Sequence, residues 1–420
     1  MKNVVTFASN IRIHALLCCS ATVLLTAGVM QQAAATGFEQ ASALQADAAL
    51  MAPVDATSQL LASNALAAAT SPSIYNLYVA TTGSDSNPGT QSRPFRTIQR
   101  AATMAKPSTT VHVAPGTYRE NVTSRVHGTA SARIRYVSDT KWGAKIIGSG
   151  TQGMWTNNAN YTDIVGFDIT GSGRLGILNQ GSYTLVQGNY VHNLTVSGGC
   201  TGSGGAGIMN AVYTASDGDI IGNVVHDIGV PGKCNAVHGI YHANLRGHIF
   251  NNIVYRSSSW GIHLWHAADK VMVANNTSFA NGGGSMGGGI VAGVGDSPGG
   301  KILTNTKIIN NIVYKNPANG ILQYCASGQK CIGSGNIVAN NLVYGNGRAI
   351  TMKVGTATGT ISADPQFVNY QASGNTGNYR LKSTSPAINK GTTTSAPTTD
   401  IDNIARPRGG AVDIGAYESY

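Results

Sequence analysis

Six short stretches of the sequence repeat one pattern of Asn, β-branched and aromatic residues. They are GNYVHN from Gly188, GNVVHD from Gly222, NNIVYR from Asn251, NNTSFA from Asn275, NNIVYK from Asn310 and NNLVYG from Asn340. The second residue of each stretch is Asn, and these residues are spaced by 34, 29, 24, 35 and 30 positions: Asn189, Asn223, Asn252, Asn276, Asn311 and Asn341. Self-similarity at such a period indicates stacked units that share one core.

A second repeat interleaves with the first, and its members are Gly176-Ile177, Gly207-Ile208, Gly239-Ile240, Gly261-Ile262, Gly289-Ile290 and Gly320-Ile321. Short strands between Asn and Gly turns predict a parallel β-solenoid, whereas a β-sandwich would need antiparallel hairpins and a period of about 8–12 residues. We expect the Asn residues to occupy left-handed turns and to bond to the Asn above and below. The unequal spacing predicts groove-walling loops near 196–206, 229–236, 281–288, 293–304 and 325–335.

The segments that flank the repeat carry a family resemblance. The stretch from Leu77 to Val122 resembles the N-terminal cap of right-handed parallel β-helix proteins of the pectate-lyase-like superfamily. In that resemblance, 94–105 is a helix that caps the solenoid, 111–113 enters the first coil and 116–118 turns it. The tail segments DPQF from Asp364, SPAI from Ser385 and DIGAYE from Asp413 resemble the closing segment of exported members.

This resemblance covers about residues 75–420 and implies an all-β, right-handed parallel β-helix with an N-terminal capping helix. Proteins of the superfamily are mostly polysaccharide lyases, glycoside hydrolases, uronan epimerases and phage adhesins. The fold alone does not choose among these activities, so the reaction has to be argued from individual residues.

Composition and the N-terminus predict an exported protein. The chain has 420 residues, 42% of them hydrophobic and only 11% charged, which excludes wholesale disorder. Lys2 and Arg12 precede the apolar stretch 15–30 and the small residues 33–35, as in a signal peptide. The expected organisation is a signal peptide (1–35), an Ala/Ser-rich linker (36–72), a β-helix with its cap (73–360) and a closing segment (361–420). The mature protein would be secreted, extracellular or periplasmic, without a membrane anchor.

Four cysteines remain after removal of the signal peptide: Cys200, Cys234, Cys325 and Cys331. An even number in an exported chain favours disulfides. Cys325 and Cys331 flank a five-residue loop, and Cys200 would pair with Cys234 if the fold returns to the same place. A zinc site is the alternative, but the sequence contains no C-x-x-C motif.

Histidine, tryptophan and tyrosine concentrate in two adjacent coils. Aligned on their Gly-Ile pairs, these coils stack Tyr241 on His263, and strand alternation then turns Tyr241, His263 and Trp265 outward. The residues His242, Asn244 and His266 have the opposite parity, so their direction depends on where the chain turns. A single such residue would suggest a structural role, but five His, two Trp and two Tyr within the 29 residues 238–266 favour a site.

These residue types suit the β-elimination of a uronate-containing polysaccharide. We expect His263 or His242 to be the base, with Tyr241 as the proton donor. Arg246 and Lys270 would neutralise the substrate carboxylate. The further expected members are His238 and His266 as additional catalytic residues, and Trp260, Trp265, Asn244, Tyr324, Lys353 and Lys233 as substrate-binding residues.

The positions of the acidic residues help to distinguish a lyase from other possible functions. Between Tyr136 and Thr360 the chain contains no Glu. A glycoside hydrolase on a similar polymer would need two facing carboxylates, and Asp217 and Asp219 could form such a pair with Asp227 or Asp269. Calcium is a candidate cofactor, and its candidate ligands are Asp217, Asp219 and Asp227. A third alternative is a non-catalytic module that binds glycans through its aromatic residues.

The expected partner is an anionic polysaccharide. Removal of Lys2 and Arg12 lowers the formal net charge from +10 to about +8. Positive charge also suits nucleic acid, but an exported β-solenoid makes the polysaccharide the better match, so no nucleic-acid partner is expected. We expect a monomer. His192 and His226 occupy the repeat position of Tyr255 and Phe279, which predicts that they are members of a side-chain stack.

Overall fold

The structure, a computed structural model, describes residues 75–196, 200, 204–294, 302–326 and 330–419. The predicted signal peptide and the linker up to residue 72 lie outside this part of the chain, as do portions of the predicted loops 196–206, 293–304 and 325–335. Within the described residues, no helix is long and apolar enough to span a bilayer.

The described chain contains one short helix, α1 (Ile98–Met104), and 28 strands. The strands are β1 (Tyr75–Val79), β2 (Thr109–Val113), β3 (Gly116–Tyr118), β4 (Val122–Ser124), β5 (Ile134–Ser138), β6 (Ala144–Asn157), β7 (Thr162–Val165), β8 (Asp168–Asn179), β9 (Thr184–Gln187), β10 (Tyr190–Leu194), β11 (Gly205–Asn210), β12 (Gly218–Ile221), β13 (Val224–Ile228), β14 (Val237–His242), β15 (His248–Phe250), β16 (Ile253–Ser257), β17 (Trp260–Leu264), β18 (Met272–Ala274), β19 (Thr277–Phe279), β20 (Gly288–Val294), β21 (Lys307–Ile309), β22 (Ile312–Tyr314), β23 (Asn319–Cys325), β24 (Ile337–Ala339), β25 (Leu342–Tyr344), β26 (Arg348–Thr351), β27 (Phe367–Asn369) and β28 (Asn378–Leu381).

Successive coils stack into two large parallel sheets. One has ten strands in the order β1-β2-β5-β7-β9-β12-β15-β18-β21-β24. The other has sixteen strands, with two rows joined through β6 and β8. The row that carries the aromatic coils is β11-β14-β17-β20-β23-β26, which we call the aromatic row. The remaining pair, β27 and β28, is antiparallel. This architecture confirms the predicted parallel β-helix.

The repeated Asn residues form a continuous ladder through the interior. All six are fully buried, and in each of the first five the amide Nδ2 donates to the Oδ1 of the next Asn at 2.9–3.1 Å. The left-handed backbone belongs to the residue before each ladder Asn, for example Gly188, Gly222 and Asn251. Two successive residues of each turn therefore have separate roles: the first bends the chain, and the second bonds to the neighbouring coils.

The capping helix is present but shorter than predicted. It begins at Ile98 rather than at residue 94, because Thr97 caps it and the carboxylate of Glu120 accepts from the backbone N–H groups of Ile98 and Gln99. Residue Phe95 is instead bridged to Val79 of β1. Residues 116–118, predicted as a turn, form the short strand β3, which pairs with β6.

The C-terminal segment packs on the outside of the solenoid. Its residues Phe367, Tyr379, Ile401 and Ile414 join a buried cluster with outward residues of β16, β19 and β22. Arg406 donates to Glu418 and to the carbonyl of Gly415 within this segment, and to Asn251 Oδ1 of the solenoid at 3.4 Å.

Both expected disulfides are formed. Cys200 bonds to Cys234, and Cys325 bonds to Cys331. The first bridge joins the loop after β10 to the loop before β14, and the second closes a short loop after β23. The cysteines are therefore structural, and the alternative zinc site is not formed by them.

Candidate functional site

The outer face of the aromatic row is set by strand alternation. The buried column Ile208, Ile240 and Ile262 faces the core, and its neighbours in sequence face outward. The outward column contains Met209, Tyr241, His263, Val291, Leu322 and Thr351 in register on successive coils. The sequence therefore correctly predicted that Tyr241 stacks on His263.

Two outward histidines on neighbouring coils bond to each other. His263 Nδ1 lies 2.9 Å from His238 Nε2, and the backbone N–H of Trp260 donates to His238 Nδ1 at 3.4 Å. The ring of Tyr241 packs edge-on to His263, with 5.1 Å between centroids. The three side chains form one cluster, which we call the His238–His263 cluster.

An aromatic platform borders this cluster. Trp265 and Tyr324 stack with their centroids 5.5 Å apart, although they lie two coils apart. Gly293 occupies the coil between them, and a side chain there would lie 2.7 Å from the Trp265 ring. The absence of a side chain at this position lets the two rings meet. Tyr324 is 43% exposed, which leaves part of the platform open to a ligand.

Trp260 does not belong to this open platform. Its indole lies over Gly288 and the residue is only 8% exposed. The prediction that Trp260 is a sugar platform is therefore wrong, because Gly288, its partner on the next coil, has no side chain and leaves room for the buried ring. Its backbone N–H donates to His238, and its ring contacts His263 with the centroids 6.4 Å apart.

His266 lies beside the cluster because the chain bends there. Its backbone is left-handed, with a φ of 54°, which ends the strand alternation. Its ring packs against Tyr213 at 4.3 Å and lies 6.2 Å from Tyr241. Tyr213, 49% exposed, belongs to the loop after β11 and was missed by the sequence analysis because it lies outside both repeats.

His242 faces the interior and cannot be the base. It is fully buried, and its Nδ1 accepts from Asn210 Nδ2 at 3.1 Å while its Nε2 donates to the carbonyl of Arg246 at 2.8 Å. It ends a second interior ladder that runs through Asn157, Asn179 and Asn210. Both ring nitrogens serve the fold, so the catalytic assignment of His242 is wrong.

Asn244 is also interior. It is fully buried, and among the described residues neither its Oδ1 nor its Nδ2 has a hydrogen-bond partner. A side chain without exposure cannot contact a polysaccharide in the groove, so the prediction that Asn244 binds substrate is wrong.

The two cations expected to meet the carboxylate lie on a corner of the coil. Arg246 forms a bidentate pair with Asp217, at 2.7 and 2.6 Å, and also reaches Ser216. Burial opposes ionisation of Asp217, but hydrogen bonds from Arg246 and Ser216 hold its pKa below the usual range. Lys270 is exposed at the same corner, one coil further along. The charge of Arg246 is thus already balanced, which corrects its assignment as a carboxylate receptor.

Two other predicted cations flank the aromatic row. Lys233 is exposed in the loop that Cys234 ties down. Lys353 is exposed directly after β26, and its backbone N–H is held by Gln323 Oε1 at 2.9 Å. Both remain available on the surface of this face.

The candidate calcium ligands do not converge. Asp217 is paired with Arg246, Asp219 accepts from the backbone N–H of His248 and contacts its ring, and Asp227 is paired with Arg256. Across the described ranges, no three His, Cys, Asp or Glu side chains are grouped to hold a metal ion. The grouping suggested by the sequence is therefore wrong, because each carboxylate already has a cationic or imidazole partner.

Burial keeps His238, His242 and His263 uncharged at neutral pH. It lowers the pKa of His238 to about 3 and that of His242 to about 4. The pKa of His263 lies well below its ordinary value because of burial and the neighbouring His238 and His266. At neutral pH these rings offer N–H groups and lone pairs but no positive charge.

A separate stack lies on the outer face of the neighbouring row. His192, His226 and Tyr255 stack in succession, as the sequence predicted, with centroids 5.4 and 4.6 Å apart. A cavity of about 490 Å³ opens beside it, lined by Asn193, His226, Asp227, Arg256 and residues 373–375. Asp227 and Arg256 pair there, and Tyr190 Oη lies 2.8 Å from His226 Nε2.

Comparison with known proteins identifies the fold family. A family model described as Pel9A-like, right handed beta helix region matches residues 77–358. The crystal structure of pectate lyase Pel9A superposes with a TM-score of 0.56 and 16% identity, covering 82% of this chain and 96% of that one. A rhamnogalacturonan lyase structure gives a TM-score of 0.47 and 16% identity, covering 71% and 91%.

A short stretch also matches an uncharacterized protein of Bacillus subtilis (strain 168), YwoF. It is 42% identical over 60 residues, which is 14% of this chain and 13% of that protein. The match thus spans about an eighth of the relative's length. The likeness to Pel9A concerns the fold, and the family match covers most of the β-helix. The chain belongs to the Pel9A-like family of right-handed β-helices.

Proposed function

We propose that this protein is an exported polysaccharide lyase that cleaves a uronate-containing polysaccharide by β-elimination. The observation that carries the proposal is the position of His263, which faces outward between Tyr241 and the Trp265–Tyr324 platform. Aromatic faces bind sugar rings, and imidazole and phenol groups beside them can exchange protons or donate hydrogen bonds. Tyr241 and His263 are the two side chains proposed to contact the reacting sugar.

The chemistry of the surface favours elimination over hydrolysis. Glycoside hydrolysis uses two carboxyl groups that flank the scissile bond. The strands β11, β14, β17, β20, β23 and β26 contain no Asp or Glu. Asp269, the nearest acidic residue in sequence to the cluster, accepts hydrogen bonds from Thr304 instead. Elimination needs no carboxylate from the protein, which supports a lyase over the alternative hydrolase.

The proposed substrate is an acidic polysaccharide and the proposed location is outside the cytoplasm. The net positive charge of the chain would attract a polyanion, and exposed Lys233 and Lys353 flank the aromatic row. The two disulfides support an oxidising compartment. We further propose that the protein acts as a monomer, because a single chain supplies the whole row.

The test uses purified mature protein and a panel of acidic and neutral polysaccharides. A lyase would produce the ultraviolet absorbance of an unsaturated uronide together with new reducing ends on an acidic polymer. His263→Ala and Tyr241→Phe should each abolish both signals. The matched controls are His248→Ala and Tyr344→Phe, which alter exposed residues of other strands and should retain turnover.

Each other outcome would contradict the proposal. New ends without absorbance would indicate a hydrolase, and Asp269→Asn or Asp219→Asn should then be inactive. Retention of a polymer in affinity electrophoresis without new ends would indicate a binding module. Full activity of the folded His263→Ala variant would remove this histidine from the site.

A further inference from the structure

The hydrogen bond between His238 and His263 has a direction that the backbone determines. The backbone N–H of Trp260 can only donate, and it points at His238 Nδ1 at 3.4 Å. His238 Nδ1 is therefore the acceptor nitrogen. In a neutral imidazole only one nitrogen carries the proton, so the proton of His238 is on Nε2.

The same argument extends to the next coil. His238 Nε2 lies 2.9 Å from His263 Nδ1, so the proton on His238 makes His263 Nδ1 the acceptor. The proton of a neutral His263 is then on its Nε2. A chain of two hydrogen bonds, beginning at a backbone amide, thus selects one tautomer for the outward-facing imidazole.

The surroundings keep both rings neutral. Among the residues that the structure describes, the titratable groups recorded in contact with His263 are His238 and Tyr241 of β14, and His266 of its own coil, and none of these is an anion. Trp265, which packs against its ring at 5.0 Å, is uncharged. A buried histidinium normally requires a nearby carboxylate to stabilise its charge. Burial without such a carboxylate lowers the pKa of both His238 and His263.

We propose that His238 is a positioning residue that fixes His263 as a neutral Nε2–H donor, and that His263 binds the carboxylate of the substrate uronate. The identity of this ligand rests on the proposed function, whereas the tautomer does not. His263 neither gains nor loses a proton in this role. Another base takes the proton from the carbon beside the carboxylate, the electron pair of that C–H bond forms the carbon–carbon double bond, and the glycosidic oxygen leaves and takes up a proton from Tyr241. While the C–H bond breaks, negative charge builds on the carboxylate oxygens, and the hydrogen bond from Nε2 strengthens.

This role replaces the one expected from the sequence. A base must present a lone pair, but the nitrogen of His263 left free by His238 is the protonated one. A neutral histidine that polarises a carbonyl is an established use of a lowered imidazole pKa. Tyr241 is then the side chain of the cluster left for proton transfer.

The first test reads the tautomer directly, by two-bond ¹H–¹⁵N correlation spectra of the histidine rings in the mature protein. His263→Ala and His238→Gln assign the signals. We expect the Nε2–H pattern for both histidines, unchanged from about pH 8 to about pH 5. An Nδ1–H pattern for His263, or an imidazolium at about pH 6, would overturn the proposal whether or not the protein is a lyase.

The second test separates positioning from folding. His238→Gln keeps an amide N–H near the position of Nε2, whereas His238→Leu removes the donor. We expect His238→Leu to lower kcat about tenfold or more and to introduce a pH dependence near neutrality, with His238→Gln closer to the wild type. Equal activity and pH profile for the wild type and both variants would contradict the proposal. If His238→Leu does not fold, the spectra and the His238→Gln variant still test whether His238 fixes the tautomer of His263.

The third test addresses the ligand with sodium glucuronate and, as the uncharged control, glucose. Glucuronate should shift the Nε2–H signal of His263, and glucose should not. If glucuronate at high concentration leaves the spectrum unchanged, the proposal that His263 binds a carboxylate is overturned. An equal shift with glucuronate and with glucose would overturn it too. Failure of the polymer assay alone would bear on the lyase activity and not on the tautomer.

Discussion

Asn210 and His242 occupy the same interior position on neighbouring coils, and the Asn210 amide donates to His242 Nδ1 at 3.1 Å. The imidazole continues an asparagine ladder and then bonds to the carbonyl of Arg246. His242 is therefore a structural residue, although it lies next in sequence to the proposed reacting Tyr241.

Replacement of His242 should affect stability rather than chemistry. His242→Asn extends the ladder with the residue used below it and should retain activity. His242→Ala leaves the Asn210 amide and the Arg246 carbonyl without this partner, and we expect a loss of about 1–3 kcal/mol or more in the free energy of unfolding. Denaturant unfolding and the ultraviolet assay measure the two effects. Loss of turnover in a stable His242→Asn variant would return His242 to the site.

Acid should destabilise the protein through its buried histidines. The folded pKa values of His238 and His242 are lowered to about 3 and about 4, so the unfolded chain binds protons first as the pH falls below about 6.5. Above that pH the neutral histidines make their full contribution to the free energy of unfolding. This free energy falls as the pH is lowered towards 4, by up to about 1.4 kcal/mol per pH unit for each histidine. Unfolding midpoints at several pH values check this. The His242→Asn variant should lose less stability on acidification, and an identical slope would contradict the assignment.

Gly293 should control the aromatic platform. A Cβ there would lie 2.7 Å from the Trp265 ring and 2.2 Å from the Tyr324 carbonyl oxygen. Gly293→Ala should separate the two rings, weaken polymer retention in affinity electrophoresis and change the near-ultraviolet circular dichroism. Gly410→Ala is the control, because nothing lies within 4 Å of a Cβ at that position. Unchanged retention by Gly293→Ala would exclude the platform from binding.

The two disulfides should differ in their contribution to stability. Cys200–Cys234 spans 34 residues and Cys325–Cys331 spans 6. The chain-entropy model gives about 3–4 kcal/mol for the longer loop and about 2–3 kcal/mol for the shorter one. The double variants Cys200→Ser/Cys234→Ser and Cys325→Ser/Cys331→Ser, compared by denaturant unfolding, test this order. A larger loss for the shorter loop would show that loop entropy does not dominate.

Substitution of an Asn at the centre of the main asparagine ladder should destabilise the fold. Asn252 Oδ1 accepts from the backbone N–H and the amide of Asn223, and its Nδ2 donates to Ile220 and Asn276. Asn252→Ala leaves several buried groups unpaired, and we expect a loss of about 3 kcal/mol or more, measured by unfolding. Asn369→Ala, at an exposed position of β27, should change stability little. Similar losses for both variants would argue against the ladder as a source of stability.

The repeats made most of the fold predictable, because ladder Asn and core Ile recur at fixed positions of each coil. The same alignment also placed Asn179, Asn210 and His242 in one column, which was a usable signal that His242 is interior. The bend at His266 was not predictable from alternation, since it depends on a left-handed backbone at a non-Gly residue. The Arg246–Asp217 pair and the His238–His263 bond depend on side-chain conformations that the pattern does not encode.

The short helix α1 has a consequence for how these molecules behave in a concentrated solution. Its residues Ile98, Ala101 and Ala102 are buried against the first strands, at the end where the stack of coils begins. An open end of a parallel solenoid is a strand edge that another molecule could extend, in the manner of a growing fibril. Because it covers part of that end, the seven-residue helix α1 should hinder the addition of a second molecule to the first coil.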